Sequence, residues 1–224
     1  MADSDACRVF WGDRMDLAQR RDLLDPAETT RVNRVTNAEN RTRQIAGAAL
    51  LRLAAGHLAD IDPAAIRVDR TCDTCGQPHG RPHLIGTDLH ASISHSGDRI
   101  AVALSRAGRV GVDVERVGPI DVAELASGVL APEERASSTT DFFIYWVRKE
   151  SVVKATGDGV VVALERVRVS RPSEPASLLG YPDRAALAAT ITDLHPGGEY
   201  VAAATVLATG PIVVTEQPWP SYVD

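Results

Sequence analysis

Lysine is almost missing from this chain. Of its 24 basic side chains only Lys149 and Lys154 are lysines, and both fall in one short segment. An arginine-biased composition accounts for the scarcity but not for the shared location, and a lysine offers a compact ammonium that can lose its proton when desolvated. Cysteine is scarce as well, and three is an odd count that argues against a disulfide framework. No run of about 18 apolar residues occurs, so no transmembrane helix is predicted. The first residues, Met1-Ala2-Asp3-Ser4-Asp5-Ala6-Cys7, are acidic where a secretory signal is basic and then apolar, which sets the expectation of a cytoplasmic protein. Positive charge is lacking too: a net charge of −6 excludes the electrostatic footprint of general nucleic-acid binding.

What is present suits a globular protein. With 224 residues, 44% hydrophobic, the chain can bury a full core as one large domain or two small ones. Charge is unevenly spread: residues 1–112 carry 15 basic and 14 acidic groups, residues 113–224 carry 9 and 16. A near-neutral, arginine-rich first half facing an acidic second half could hold an anion on one side and its metal on the other. Chance asymmetry between two solvated surfaces accounts for the counts equally well.

Residues 8–15 read as a first strand and turn, and residues 16–36 as polar and helical, with Asp25-Pro26 as a helix start. From 36 to 58, Ile45, Ala46, Ala49, Leu50, Leu53 and Leu58 recur at helical spacing and predict a long amphipathic helix. Arg31, Arg34, Arg41 and Arg43 cluster in and before its first turns. Ile66-Arg67-Val68-Asp69 reads as a short strand, residues 89–96 as strand and turn, and residues 100–104 and 110–114 as two alternating strands joined in a hairpin. Residues 122–130 predict a helix, Ala131-Pro132-Glu133-Glu134 the opening of another, and residues 141–156 a third, closed by Gly157-Asp158-Gly159. Residues 160–170 and 199–208 read as strands, and the chain after Pro211 as frayed.

Two stretches carry the chemistry. In Val110-Gly111-Val112-Asp113-Val114-Glu115 an extended strand buries the valines and points both carboxylates the same way. Trp146, Glu150 and Lys154 recur every four residues, which on a helix stacks indole, carboxylate and ammonium along one face. Asp113, Glu115 and Glu150 together make three hard oxygen ligands, suited to Mg²⁺. A third stretch, Cys72, Cys75, His79 and His83, offers two thiolates and two imidazoles, chemically suited to tetrahedral zinc. A Gly/Pro-rich loop with reduced cysteines is the plainer reading, because the spacing is unusually compact and no helix is indicated to carry the histidines.

The pair Gly111-Val112-Asp113-Val114-Glu115 and Trp146-Val147-Arg148-Lys149-Glu150-Ser151-Val152-Val153-Lys154 resembles the signature of the Sfp-type 4'-phosphopantetheinyl transferases. Ser92-Ile93-Ser94-His95-Ser96 and Gly80-Arg81-Pro82 are similar to two further motifs of that family, in the same order. The resemblance covers residues 80–154 closely and the flanks more loosely.

It implies an α+β fold of two similar halves about a pseudo-twofold axis, with the active site in the cleft between residues 1–112, which anchor coenzyme A, and residues 113–224, which bind metal and catalyse. The implied reaction moves the 4'-phosphopantetheine arm of coenzyme A onto a serine of an apo acyl, peptidyl or aryl carrier protein, releasing 3',5'-adenosine diphosphate. By the same resemblance Arg31, Arg43, Arg81, Ser94, His95, Asp113 and Lys154 contact the coenzyme. Asp113, Glu115 and Glu150 hold Mg²⁺, while Glu150 and Lys154 are catalytic. Some relatives use lysines around the coenzyme's 3'-phosphate, where this chain has only arginines, which bind phosphate at least as well. No nucleic-acid or membrane partner is expected. Two other classes stay open from the residues alone: a zinc-loop interaction protein, and a Mg²⁺-dependent phosphohydrolase using the same carboxylates.

Overall fold

The computed structural model describes residues 6–72, 75–184 and 186–218. In chain order the strands are β1 (Ala6–Asp13), β2 (Arg67–Asp69), β3 (His83–Ile85), β4 (His90–Ser96), β5 (Arg99–Ser105), β6 (Val110–Arg116), β7 (Arg168–Val169), β8 (Leu178–Gly180), β9 (Thr190–Leu194), β10 (Tyr200–Val206) and β11 (Val213–Pro218). The α-helices are α1 (Arg14–Ala18), α2 (Pro26–Asn33), α3 (Ala38–Ala59), α4 (Val122–Val129) and α5 (Thr139–Thr156). The first sheet runs β11-β1-β5-β4-β3-β2 and the second β6-β10-β9, with β7 and β8 a separate ribbon.

Side-chain alternation along the strands decides the layering. Phe10 of β1 and Ile100, Val102 and Leu104 of β5 pack on one face with Ala46, Leu50 and Leu53 of α3. The other face of the same strands, through Val9, Trp11, Ala101 and Ala103, meets Val110, Val112 and Val114 of β6 and Ala202, Ala204 and Val206 of β10. Behind the second sheet, Ala203 packs with Tyr145, Val152 and Val153 of α5. The layers are thus helix, sheet, sheet, helix, the mixed α+β architecture that the motifs imply.

Both long helices start and stop where local chemistry dictates. Asn37 caps α3 by accepting from the Asn40 N–H, and Ser138 caps α5 by accepting from the Asp141 N–H, each satisfying a donor that the first turn leaves open. At the far end of α5, Gly157 takes φ +82°, a left-handed conformation that costs glycine nothing. Residues 45–56 of α3 are all buried, including Arg52, whose guanidinium pairs with Glu28 at 2.7 Å and Asp25 at 3.2 Å.

Four expectations are corrected. β5 and β6 do not form a hairpin: both edges of β5 are already taken, by β1 and β4, so β6 crosses to the second sheet and pairs with β10. Residues 160–170 form two single 3-10 turns, Gly159–Val161 and Leu164–Arg166, with only the two-residue β7 after them. Ala131-Pro132 opens no helix; the turn there instead buries Glu134. Residues 213–218 are not frayed, because β11 runs parallel to β1, a pairing between residues some 200 positions apart that no local pattern announces; the remainder of that tail, residues 219–224, lies outside the described residues.

Candidate active site

Between Trp146 and Thr156 every residue of α5 is buried except Trp146, Glu150 and Lys154. The face predicted from their spacing is therefore the one that stays open. The buried residues hold the helix in place. Arg148 pairs with Asp193 at 2.6 Å and donates to the carbonyls of Ser170, Arg171 and Glu174. Lys149 bonds Glu134 and the Val129 carbonyl, which makes it a structural clamp and leaves Lys154 as the lysine of the open face. Ser151 shares a 2.7 Å hydrogen bond with Thr205 of β10.

β6 approaches α5 closely because of one glycine. A Cβ at Gly111 would stand 2.0 Å from the Ser151 carbonyl oxygen and 2.5 Å from the Ala155 nitrogen. With the valines of β6 turned to the inter-sheet core, Asp113 and Glu115 point the other way, toward the open face of α5.

There the Lys154 ammonium lies 2.6 Å from Asp113 Oδ1 and donates to Ser94 Oγ at 3.1 Å and the Val112 carbonyl at 3.2 Å. Ser94 donates to the same Asp113 oxygen at 2.8 Å, and Ser96 donates to Glu115 Oε2 at 2.8 Å. Asp113 Oδ2 is buried with no hydrogen-bond partner. Burial, and then the charge of Asp113, raise the Glu115 carboxyl to about 7 and push Glu150 upward as well. These are three coupled carboxylates in want of positive charge. Their oxygens do not all close to within 4.8 Å of one another; among the described residues only Cys72, Cys75 and His79 do so. The donor set fits Mg²⁺ nonetheless, since it is all oxygen and includes an orphaned buried oxygen that a hard cation would satisfy.

The serine motif does more than the sequence suggested. Ser92, Ser94 and Ser96 of β4 accept from the backbone N–H groups of Val112, Val114 and Arg116 at 3.1, 3.3 and 3.1 Å. These N–H groups lie on the edge of β6 away from β10, so three hydroxyls close an edge that would otherwise go unpaired. Ser94 thereby sits beneath Asp113 as its support and is itself buried.

On the α3 side of the first sheet, a cavity of about 260 Å³ is lined by Arg31, Arg43, Gln44, Arg70, His79 and His95 among others. Arg31, Arg43 and His95, picked from the sequence, are brought together here. Arg43 is held by the Gly97 carbonyl at 2.9 Å and by Glu39 at 3.1 Å. Partial desolvation of the exposed His95 ring, and then the charges of Lys154 and Arg43, push its pKa downward. Arg70 was not anticipated. Its Nε is buried without a partner, and burial, reinforced by Arg31, lowers its guanidinium to about 10. Nothing in the local sequence marks Arg70, which follows β2 and reaches the cavity only through tertiary packing. Arg81 lies elsewhere: it lines a different pocket with Arg109 and His90, and reaches to within 4 Å of where a Cβ on Gly157 would stand.

The Cys/His loop is only partly as read. Cys72, Cys75 and His79 converge, but His83 does not join them, because its place in β3 pairs it with Asp69 and His90, and its Nε2 accepts from Arg81 Nε at 3.3 Å.

A cationic cavity lies on one side of β4 and linked carboxylates on the other, an arrangement chemically suited to a polyanion and a hard cation. Comparison with known proteins bears on the family. Residues 109–205 match the model of the 4'-phosphopantetheinyl transferase superfamily. The chain is 31% identical over 197 residues to 4'-phosphopantetheinyl transferase HetI of Nostoc sp., covering 84% of this chain and 80% of that protein. It is 25% identical over 170 residues to 4'-phosphopantetheinyl transferase Sfp of Bacillus subtilis, covering 72% of each, and 40% identical to Salmonella typhi AcpT over 81 residues, covering 32% of this chain and 42% of that protein. The chain belongs to the 4'-phosphopantetheinyl transferase superfamily.

Proposed function

We propose that this protein transfers the 4'-phosphopantetheine arm of coenzyme A to a serine hydroxyl of an apo acyl, peptidyl or aryl carrier protein, with Mg²⁺ held by Asp113, Glu115 and Glu150. The observation that carries the reading is the Asp113 site: one oxygen bound by Lys154 and Ser94, the other buried and unsatisfied, and two neighbouring carboxyls raised in pKa. Such a cluster is costly unless a cation completes it. When bound, the metal supplies charge neutralisation at the pyrophosphate.

The chain's own residues divide the remaining work. Arg31, Arg43 and Arg70 present guanidinium groups to the phosphates of the coenzyme, with His95 beside them. β3 pairs with β4 only at His83 and His90, so the Ser92–Ser96 stretch has no strand on that side, and a ligand can pass there from the arginine cavity to Asp113. In this reading residues 1–112 anchor the coenzyme and residues 113–224 supply the metal ligands and the base.

The carrier serine oxygen attacks the β-phosphorus, the bond to the bridging oxygen breaks, and 3',5'-adenosine diphosphate leaves with the electron pair. Glu150, directly or through a water, takes the serine proton. The Lys154 ammonium stands beside Asp113 to offset charge that builds as the phosphate departs. Ser94 positions Asp113, and Arg81, in its separate pocket, keeps the coenzyme-binding role that the resemblance gives it.

The test is to incubate the protein with coenzyme A, Mg²⁺ and a panel of apo carriers, then read the mass gain on the carrier serine. The Glu150→Gln variant should fold and lose transfer by about 10²-fold or more. Transfer at the wild-type rate by that variant would remove Glu150 from the mechanism, and phosphate release without any carrier would point to hydrolysis instead.

A further inference from the structure

The loop from Cys72 to His83 lies outside the carboxylate site, and the reaction above leaves its thiols unused. Cys72, Cys75 and His79 each offer a ligating atom, and these atoms all lie within 4.8 Å of one another. Cys75 Sγ and a ring nitrogen of His79 are 2.9 Å apart. In tetrahedral zinc coordination, with Zn–S of about 2.3 Å and Zn–N of about 2.0–2.1 Å, ligand atoms stand about 3.5–3.8 Å apart. A small parting of the cysteine and histidine admits the ion.

The backbone around these atoms is already folded for the purpose. Cys72 N–H donates to the Gln77 carbonyl at 2.8 Å, and Gly76 N–H donates back to the Cys72 carbonyl at 2.9 Å, closing the turn around both cysteines. Gly76 sits at φ +71°, where other residues are strained. Gly80 has no room for a side chain, since a Cβ would stand 2.8 Å from the Thr71 oxygen and 2.9 Å from Cys72 Cα. Cys75, Gly76, Gln77, Pro78 and His79 are all exposed, so no apolar packing holds them in this shape.

We propose that Cys72, Cys75 and His79 bind one zinc ion, with solvent in the fourth position, and that the ion pins His79 in the wall of the arginine-lined cavity. Two thiolates and an imidazole select a borderline-soft, tetrahedral ion over Mg²⁺, which prefers all-oxygen ligands. His83 is not a ligand, because the sheet holds it at Arg81. The site is separate from the carboxylates, and its existence does not depend on the transfer reaction.

The experiment is elemental mass spectrometry and native mass spectrometry on the full-length protein, purified without chelator and exchanged into metal-free buffer. The expected result is about one zinc per chain. Replacing it with Co²⁺ should give the visible absorption of tetrahedral cobalt with thiolate charge transfer. Cys75→Ser and His79→Ala should each weaken Co²⁺ binding by at least about tenfold, while His83→Ala retains it. A wild-type protein that binds neither zinc nor Co²⁺, or that is lighter by two hydrogens through a Cys72–Cys75 disulfide, would overturn the proposal. Loss of metal in His83→Ala would overturn the three-ligand set. The wild-type metal content and His83→Ala decide the matter even if Cys75→Ser fails to fold.

Discussion

Lys154 and Asp113 meet across the join of α5 and β6 at 2.6 Å, while the second oxygen of Asp113 stays buried and unpartnered. The ammonium answers one oxygen of the carboxylate, and in the proposed mechanism a cation answers the other. Removing the lysine therefore leaves a nearly buried negative charge.

Lys154→Met should cost about 2 kcal/mol of stability, below the roughly 3–5 kcal/mol of a fully buried pair because the Lys154 side chain keeps 30% exposure. Urea denaturation with and without Mg²⁺ checks this. The deficit should shrink in Mg²⁺, which supplies the missing charge, and transfer should still be lost. An equal deficit in both buffers would disconnect Lys154 from the metal site.

Stability without Mg²⁺ should fall as pH rises from about 4.5 through about 7. The folded Glu115 carboxyl sits at about 7 against an ordinary 4.5, raised by burial and then by Asp113. Between those values the folded state keeps a proton that the unfolded chain has released, so unfolding gains with each step in pH. Melting temperatures of the wild type and Glu115→Gln, measured across this window in metal-free buffer, should diverge, the wild type declining more steeply. Parallel curves would rule out Glu115 as the titrating group. Mg²⁺ should raise the wild-type melting temperature most above pH 7, where the carboxyl is ionised and free to bind it.

Ser92→Ala and Ser94→Ala separate support of the fold from support of the site. Each strips the acceptor from one buried backbone N–H of β6, at a cost of about 1–3 kcal/mol. Only Ser94 also bonds Asp113 and Lys154. Comparable losses of stability are expected from denaturant midpoints, with a much larger loss of transfer for Ser94→Ala. Equal transfer rates would assign Ser94 to the edge of the strand alone.

Gly111→Ala should destabilise by about 3 kcal/mol, at the upper end for overpacking, because the new methyl meets backbone atoms of α5 that cannot rotate away. The displaced helix carries Glu150 and Lys154, so Mg²⁺ affinity measured by calorimetry should fall along with the denaturant midpoint. A fully stable variant would show that β6 and α5 have slack between them.

Much of the candidate site's geometry was legible because its signals are local. The spacing of Trp146, Glu150 and Lys154 names a helix face, the alternation from Val110 to Glu115 names a strand face, and the alanine and leucine repeats of α3 name a buried helix. Neighbouring residues fix these periodicities before any long-range contact forms. The hairpin failed for a reason invisible at that range: whether β5 had an edge to offer β6 depended on β1 and β4, one of them about 90 residues away.

The amino-acid order alone determined which side chains could act, since charge, ligand type and helical or extended spacing belong to short segments. Only tertiary structure decided how they are used: that Ser94 props Asp113, that Lys149 clamps while Lys154 faces the site, that Arg70 joins Arg31 and Arg43, and that His83 stands apart from the cysteines. Such assignments depend on which sheet edges remain unpaired and which groups burial leaves unsatisfied, and those are properties of the packed chain rather than of any stretch within it.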